Sequence, residues 1–121
     1  MERLLPGDLP APVRRAAELT LERKAHAVVV LDLRGISSAT DFFVIANGTS
    51  DVQVGAIAEH VRDTLKDEGV PPEHVEGMKG GRWALLDYID FVVHVFHPEA
   101  RMFYSLDNLW GDAPRWEVEE T

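Results

Sequence analysis

Residues 81–114 read GRWALLDYIDFVVHVFHPEARMFYSLDNLWGDAP. Two apolar runs, Arg82–Tyr88 and Phe91–His97, flank a two-residue break, which is the pattern of a β-hairpin. Pro98 closes the second run, and Glu99–Leu109 follows as a short helix carrying Met102, Phe103 and Leu106. Side chains alternate along a strand, so Trp83, Leu85 and Asp87 share one side and Ala84, Leu86 and Tyr88 the other. On the second strand Val92, His94 and Phe96 alternate with Phe91, Val93, Val95 and His97. Both sides therefore carry large apolar groups. Either all of them are core, or one side is left for a partner, for which Trp and Tyr are frequent anchors.

Outward from the hairpin, the chain alternates helix and strand signals. Pro12 suits a first helical turn, and Val13, Ala16, Ala17, Leu19, Leu21 and Ala25 give a broad apolar stripe, so a helix is expected over Pro12–Arg23. AVVVLDL at 27–33 is a continuous β-branched run, as in a strand covered on both faces, and FFVIAN at 42–47 is a second buried strand. Ser50 and Gln53 form a capping-box pair ahead of Val54, Ile57, Ala58, Val61 and Leu65 at helical spacing. Gly69 ends that helix and Pro71-Pro72 prevent its return. A short strand near His74–Met78 and a Lys79-Gly80-Gly81 turn lead into the hairpin. The predicted order is α-β-β-α-β-β-β-α: one α/β domain with a mixed sheet of about five strands. Residues 1–11 read as a loose lead-in, 12–110 as the domain and 111–121 as an acidic, partly mobile tail.

With 121 residues, 45% of them hydrophobic, the chain can bury one real core. It has no apolar run long enough to span a membrane and no apolar core of signal-peptide type near its start. It has no cysteine, which excludes disulfides, thiolate metal sites and cysteine nucleophiles and fits a reducing cytoplasm. Twenty-one acids against twelve bases give a formal net charge of −9. That balance argues against a grip on nucleic-acid backbones, since such affinity comes from Lys and Arg. It fits equally a solubilising surface and a domain that docks on a basic protein.

Chemistry-bearing residues are scattered. Gly48-Thr49-Ser50-Asp51 lies between a strand and a helix start, where backbone N–H groups could hold an anion; its plain alternative is an N-cap. The location is that of the Gly-Ser turn of nucleotidyltransferases, which also need two acids one residue apart on a neighbouring strand to hold a metal ion. Here Glu59 and Asp63 fall on the helix, and Asp87 and Asp90 straddle a turn. His94 and His97 point to opposite sides of their strand and cannot easily share a metal. No catalytic set, metal site or cofactor site is expected.

The blocks DLRGISSATDFFVIANGTSD at 32–51, VEG at 75–77, GRWALLDYIDFVVHVFHPEARMFY at 81–104 and LWGDAP at 109–114 together resemble the ribosomal silencing factors, the RsfS or Iojap-like family. The resemblance covers roughly Val13 to Pro114. It implies an α/β fold related to nucleotidyltransferases but without their active site, and no enzymatic activity. It implies binding to ribosomal protein L14 (uL14) on the 50S subunit, which blocks joining of the 30S subunit and represses translation in starved or stationary cells. It further implies a cytoplasmic protein that forms a homodimer when free, with no membrane or sequence-specific nucleic-acid partner. The residues expected to meet L14 are Trp83, Leu85 and Asp87, which the strand alternation puts on one face, extended by His94, Phe96, Tyr104, Leu109 and Trp110; the family's signature residues fall on these positions. The competing readings are a generic protein-interaction module and an active nucleotidyltransferase. One position departs from the family: Ile89 stands where Gly is common. Because Ile is costly at positive φ, the turn is expected to be of another type or to place Asp90 in the left-handed region.

Overall fold

The structure, a computed structural model, describes residues 4–104 and 111–118, with the backbone alone at 102–104. Helix α1 spans Ala11–Glu22, β1 His26–Asp32, β2 Phe42–Asn47, α2 Asp51–Asp67, β3 His74–Glu76, β4 Trp83–Asp87, β5 Phe91–Phe96, α3 Pro98–Tyr104 and β6 Arg115–Glu117. The expected continuation of the last helix to Leu109 lies outside the described residues. Strand β6 is an addition to the predicted order. It falls in the stretch read as a tail, where Arg115, Trp116 and Glu117 pair antiparallel with Leu31, Val30 and Val29. Three residues, two of them charged, carry little strand signal of their own; their pairing is dictated by the partner strand.

The sheet thus has six strands in the order β3-β4-β5-β2-β1-β6. Strands β2 and β5 run parallel, and every other neighbouring pair is antiparallel. A parallel pair needs a crossover, and α2 begins it, carrying the chain out to the edge at β3 before β4 and β5 return it to β2. Helices α1 and α2 lie on one face. Val13, Ala16, Ala17 and Leu19 of α1 and Val54, Ile57, Ala58, Val61 and Leu65 of α2 bury against Val28, Val30, Val44, Ala46, Ala84, Leu86, Val93 and Val95. On the opposite face Val29, Leu31, Leu33, Ile45 and Phe96 form a second cluster with Ala100 of α3 and Ala113. Strand β1 is therefore covered on both sides, as its unbroken Val-Leu run requires.

The start of α2 follows half of the expected capping box. Ser50 Oγ accepts the Gln53 N–H at 3.1 Å. The return bond goes elsewhere: Gln53 Oε1 accepts from the backbone N–H and the hydroxyl of Thr49. The Gln53 amide also donates to the carbonyls of Arg23 and Lys24, each at 3.2 Å. Those carbonyls belong to the frayed end of α1, where acceptors lack helical partners, so they draw Gln53 away from the reciprocal box. The side chain thereby ties the 48–51 turn to the end of α1.

Candidate functional site

The two-residue break between Tyr88 and Phe91 sets the hairpin register. Asp87 faces Val92, Leu85 faces His94 and Trp83 faces Phe96. These six side chains share the side of the sheet away from α1 and α2. The rows differ in exposure. Along β4, Trp83, Leu85 and Asp87 are half-buried while Ala84 and Leu86 are fully buried on the helix side. Along β5 every residue is buried. Among the described residues only β3 lies beyond β4, and its His74 and Glu76 pair with Asp87 and Leu85 and stand exposed. Among the described residues, coverage of this face therefore thins from the centre of the sheet toward β4 and β3.

Trp83 is held from below. Its indole stacks on Phe96, with ring centroids 5.0 Å apart and planes at 28°. Its Nε1–H donates to His94 Nδ1 at 3.0 Å. Phe43 of β2 meets the imidazole edge-on at 4.5 Å. His94 is only 4% exposed, and burial pushes its pKa down to about 4, with Asp87 pulling weakly the other way. It is neutral at neutral pH. Because Nδ1 accepts from the indole, the imidazole proton sits on Nε2, a buried atom with no hydrogen-bond partner among the described residues. His94 and Phe96 thus lie under Trp83 rather than at the surface.

The backbone leading into Trp83 is tightly set. Gly77 and Gly81 both have positive φ, 74° and 72°. A Cβ on Gly77 would collide with the Trp83 carbonyl oxygen, and one on Gly81 with Asp51. On the far side of the face, Arg101 of α3 donates to the Ala27 carbonyl and, at 3.1 Å, to Asn47 Oδ1. Ala27 sits at φ 51° where the register of β1 shifts against β2, so a bulge in β1 presents the carbonyl that anchors α3. Of the remaining expected docking residues, Tyr104 ends α3, but its side chain lies outside the described residues, as do Leu109 and Trp110. Trp116 points to the helix side and packs against the main core.

The turn at Ile89 differs from expectation. Ile89 itself adopts φ 71°, and Asp90 does not take the left-handed position. The Asp90 N–H bonds to the Tyr88 carbonyl at 2.9 Å, which with this φ makes the rare γ-turn of the strained hand. Neighbours hold it there: Asp87 Oδ1 accepts the Ile89 N–H at 2.8 Å, and the Thr40 hydroxyl donates to the Ile89 carbonyl at 2.9 Å. Asp41 N–H further bonds the Asp90 carbonyl at 3.0 Å. Asp87 is therefore a turn-holding carboxylate as well as a member of the exposed row. Reading the sequence alone missed Thr40, Phe43, Arg101 and the Trp83–His94 bond. Only the last was within reach, since a two-residue turn places Trp83 diagonally from His94.

Elsewhere the groups that could carry chemistry are dispersed or occupied. In the 48–51 turn the Gly48 N–H donates to the Phe96 carbonyl, the Thr49 N–H and hydroxyl donate to Gln53 Oε1, and Ser50 Oγ caps α2. Among the described residues no three His, Asp or Glu side chains come together as a metal site, and no helix is long and apolar enough to cross a membrane.

Six mixed strands, two helices on one face and an aromatic row near the opposite sheet edge define a single-domain α/β protein with a half-covered sheet. Residues 6–121 match the family described as "Ribosomal silencing factor during starvation". Two relatives carry the name Ribosomal silencing factor RsfS. One, from Halalkalibacterium halodurans, is 45% identical over 81% of this chain and 84% of its own length. The other, from Bacillus subtilis, is 43% identical over 86% and 88%. The chloroplastic protein Iojap of Zea mays is 35% identical over 84% of this chain and 44% of its own. A crystal structure of a Bacillus halodurans protein superposes with a TM-score of 0.74 at 40% identity, covering 85% of this chain and 93% of that one. One from Chromobacterium violaceum gives 0.77 at 36% identity, over 82% and 83%. The chain belongs to the ribosomal silencing factor family.

Proposed function

We propose that this protein docks on ribosomal protein L14 of the 50S subunit, obstructs joining of the 30S subunit and so lowers translation, acting in the cytoplasm. The observation that carries the reading is the half-exposed row Trp83, Leu85 and Asp87 on the sheet face away from α1 and α2, backed by Phe96 and His94. A rigidly backed tryptophan beside an aliphatic side chain and a carboxylate has the composition of an interface anchor. A net charge of −9 favours encounter with a basic ribosomal protein. The family resemblance adds Tyr104, Leu109 and Trp110 to the residues expected to meet L14. The action is steric and needs no catalysis. In the 48–51 turn Thr49 and Ser50 are used by the fold, Thr49 bonding Gln53 and Ser50 capping α2. In the free state the chain pairs as a homodimer.

Sedimentation tests the reading. The protein should pellet with 50S but not 30S subunits, and 50S subunits pre-loaded with it should yield fewer 70S particles on addition of 30S. An unchanged 70S yield at saturating protein refutes it.

A further inference from the structure

We infer that the tip of the β4–β5 hairpin is a docking knob, with Ile89 entering an apolar socket on a basic protein surface and Asp41, Asp87 and Asp90 meeting the cations at its rim. The inference deepens the docking reading and rests on it. The starting point is strain. Among the described residues three non-glycine residues have positive φ: Lys24, Ala27 and Ile89. Lys24 follows the end of α1, where left-handed residues are common. Ala27 is a small residue in a bulge whose carbonyl is bound by Arg101. Ile89 alone is β-branched, the type for which this region is a true outlier. Burial does not offset the cost, since Ile89 is 59% exposed and belongs to neither hydrophobic cluster. Strain maintained by dedicated hydrogen bonds, here from Thr40 and Asp87, is characteristic of sites that act on something outside the fold.

The surroundings indicate the partner. The β4 row of Trp83, Leu85 and Asp87 runs directly into the tip, so Ile89 continues the docking surface along the chain. The 33–41 loop ends beside it through the Asp41–Asp90 backbone bond and exposes a second apolar side chain, Ile36, at 47%. Arg34 in that loop is taken up by Asp32 at 2.8 Å. Among the described residues Asp41, Asp87 and Asp90 form no ion pair. An apolar projection neighboured by three carboxylates without an ion pair, of which Asp41 feels Arg34 only at longer range, fits an apolar hollow lined by Lys and Arg, the arrangement in which rim charges set orientation and the central group supplies affinity.

The experiment pairs two measurements on Ile89→Gly, with Ile89→Val as the conservative control. Affinity is measured by titrating labelled protein with purified 50S subunits, and stability by urea unfolding. Glycine removes both the strain and the knob, so Ile89→Gly should unfold at higher urea yet bind 50S roughly ten-fold more weakly. Ile89→Val, which keeps a smaller apolar β-branched group, should bind with an affinity between those of the parent and Ile89→Gly. Binding of Ile89→Gly at parental affinity would overturn the inference, and so would a loss of binding that accompanies a loss of stability. Failure of the parent chain itself to bind 50S would instead refute the docking reading on which the inference rests.

Discussion

Replacing His94 with phenylalanine should remove one segment of the acid sensitivity of this domain. In the folded protein the imidazole is 4% exposed, accepts the Trp83 indole N–H, and has a pKa lowered to about 4 by burial. In the unfolded chain it titrates near the ordinary value of about 6.5. Between these pH values the unfolded state binds a proton that the folded state refuses, so stability falls as pH falls. The contribution is fully present above about pH 6.5 and is lost on the way down to about pH 4. Two and a half pH units at about 1.4 kcal/mol per unit amount to about 3 kcal/mol. With a urea dependence of about 1.5 kcal/mol per molar, the unfolding midpoint should drop by about 2 M across the window. Carboxylates held low by ion pairs, such as Asp32 beside Arg34 and Glu68 beside Arg15, add their own loss toward the acid end of the window, where the unfolded chain's carboxylates begin to protonate. The assay is urea unfolding at half-unit pH steps from 7.5 to 4.5 for both proteins. His94→Phe should show a nearly flat midpoint where the parent slopes. An identical slope in the variant would refute the assignment of a buried neutral His94.

Three further changes probe the site and its supports. Trp83→Ala should weaken 50S binding by thirty-fold or more, an anchor loss of roughly 2–4 kcal/mol, and lower stability by less than the roughly 3–5 kcal/mol expected of a fully buried Trp; binding at parental affinity would show that docking uses another face. Gly77→Ala should destabilise by more than about 1 kcal/mol, because its Cβ meets the Trp83 carbonyl and φ is positive; a thermal melt equal to the parent's would contradict the packing of β3 against β4. Ser50→Ala should cost about 1 kcal/mol through loss of the α2 cap and leave 50S binding unaltered, as read by chemical unfolding alongside sedimentation.

Short-range features of this protein were written plainly in its sequence. The helical spacing from Val54 to Leu65, the unbroken Val run of β1, the Ser50 cap and the alternation of Trp83, Leu85 and Asp87 each depend on neighbours within a few residues. Local sterics and periodicity decide such features, so the order of elements through α3 and the α/β class could be read directly. Tertiary structure decided everything that depends on what lies across the sheet. It determined which face α1 and α2 cover, and hence that His94 is buried beneath Trp83 while Trp83 keeps part of its surface. It redirected Gln53 from Ser50 to Thr49 and the end of α1, because acceptors thirty residues away competed for the same amide. It brought Arg115–Glu117 into the sheet as β6, since pairing with β1 outweighed their own weak strand preference. It also forced Ile89 into a left-handed turn against its own preference. Hydrogen bonds from Thr40, distant in sequence, and from Asp87 hold that conformation, and a penalty of about 1–2 kcal/mol is small against the register of a hairpin paired on both sides.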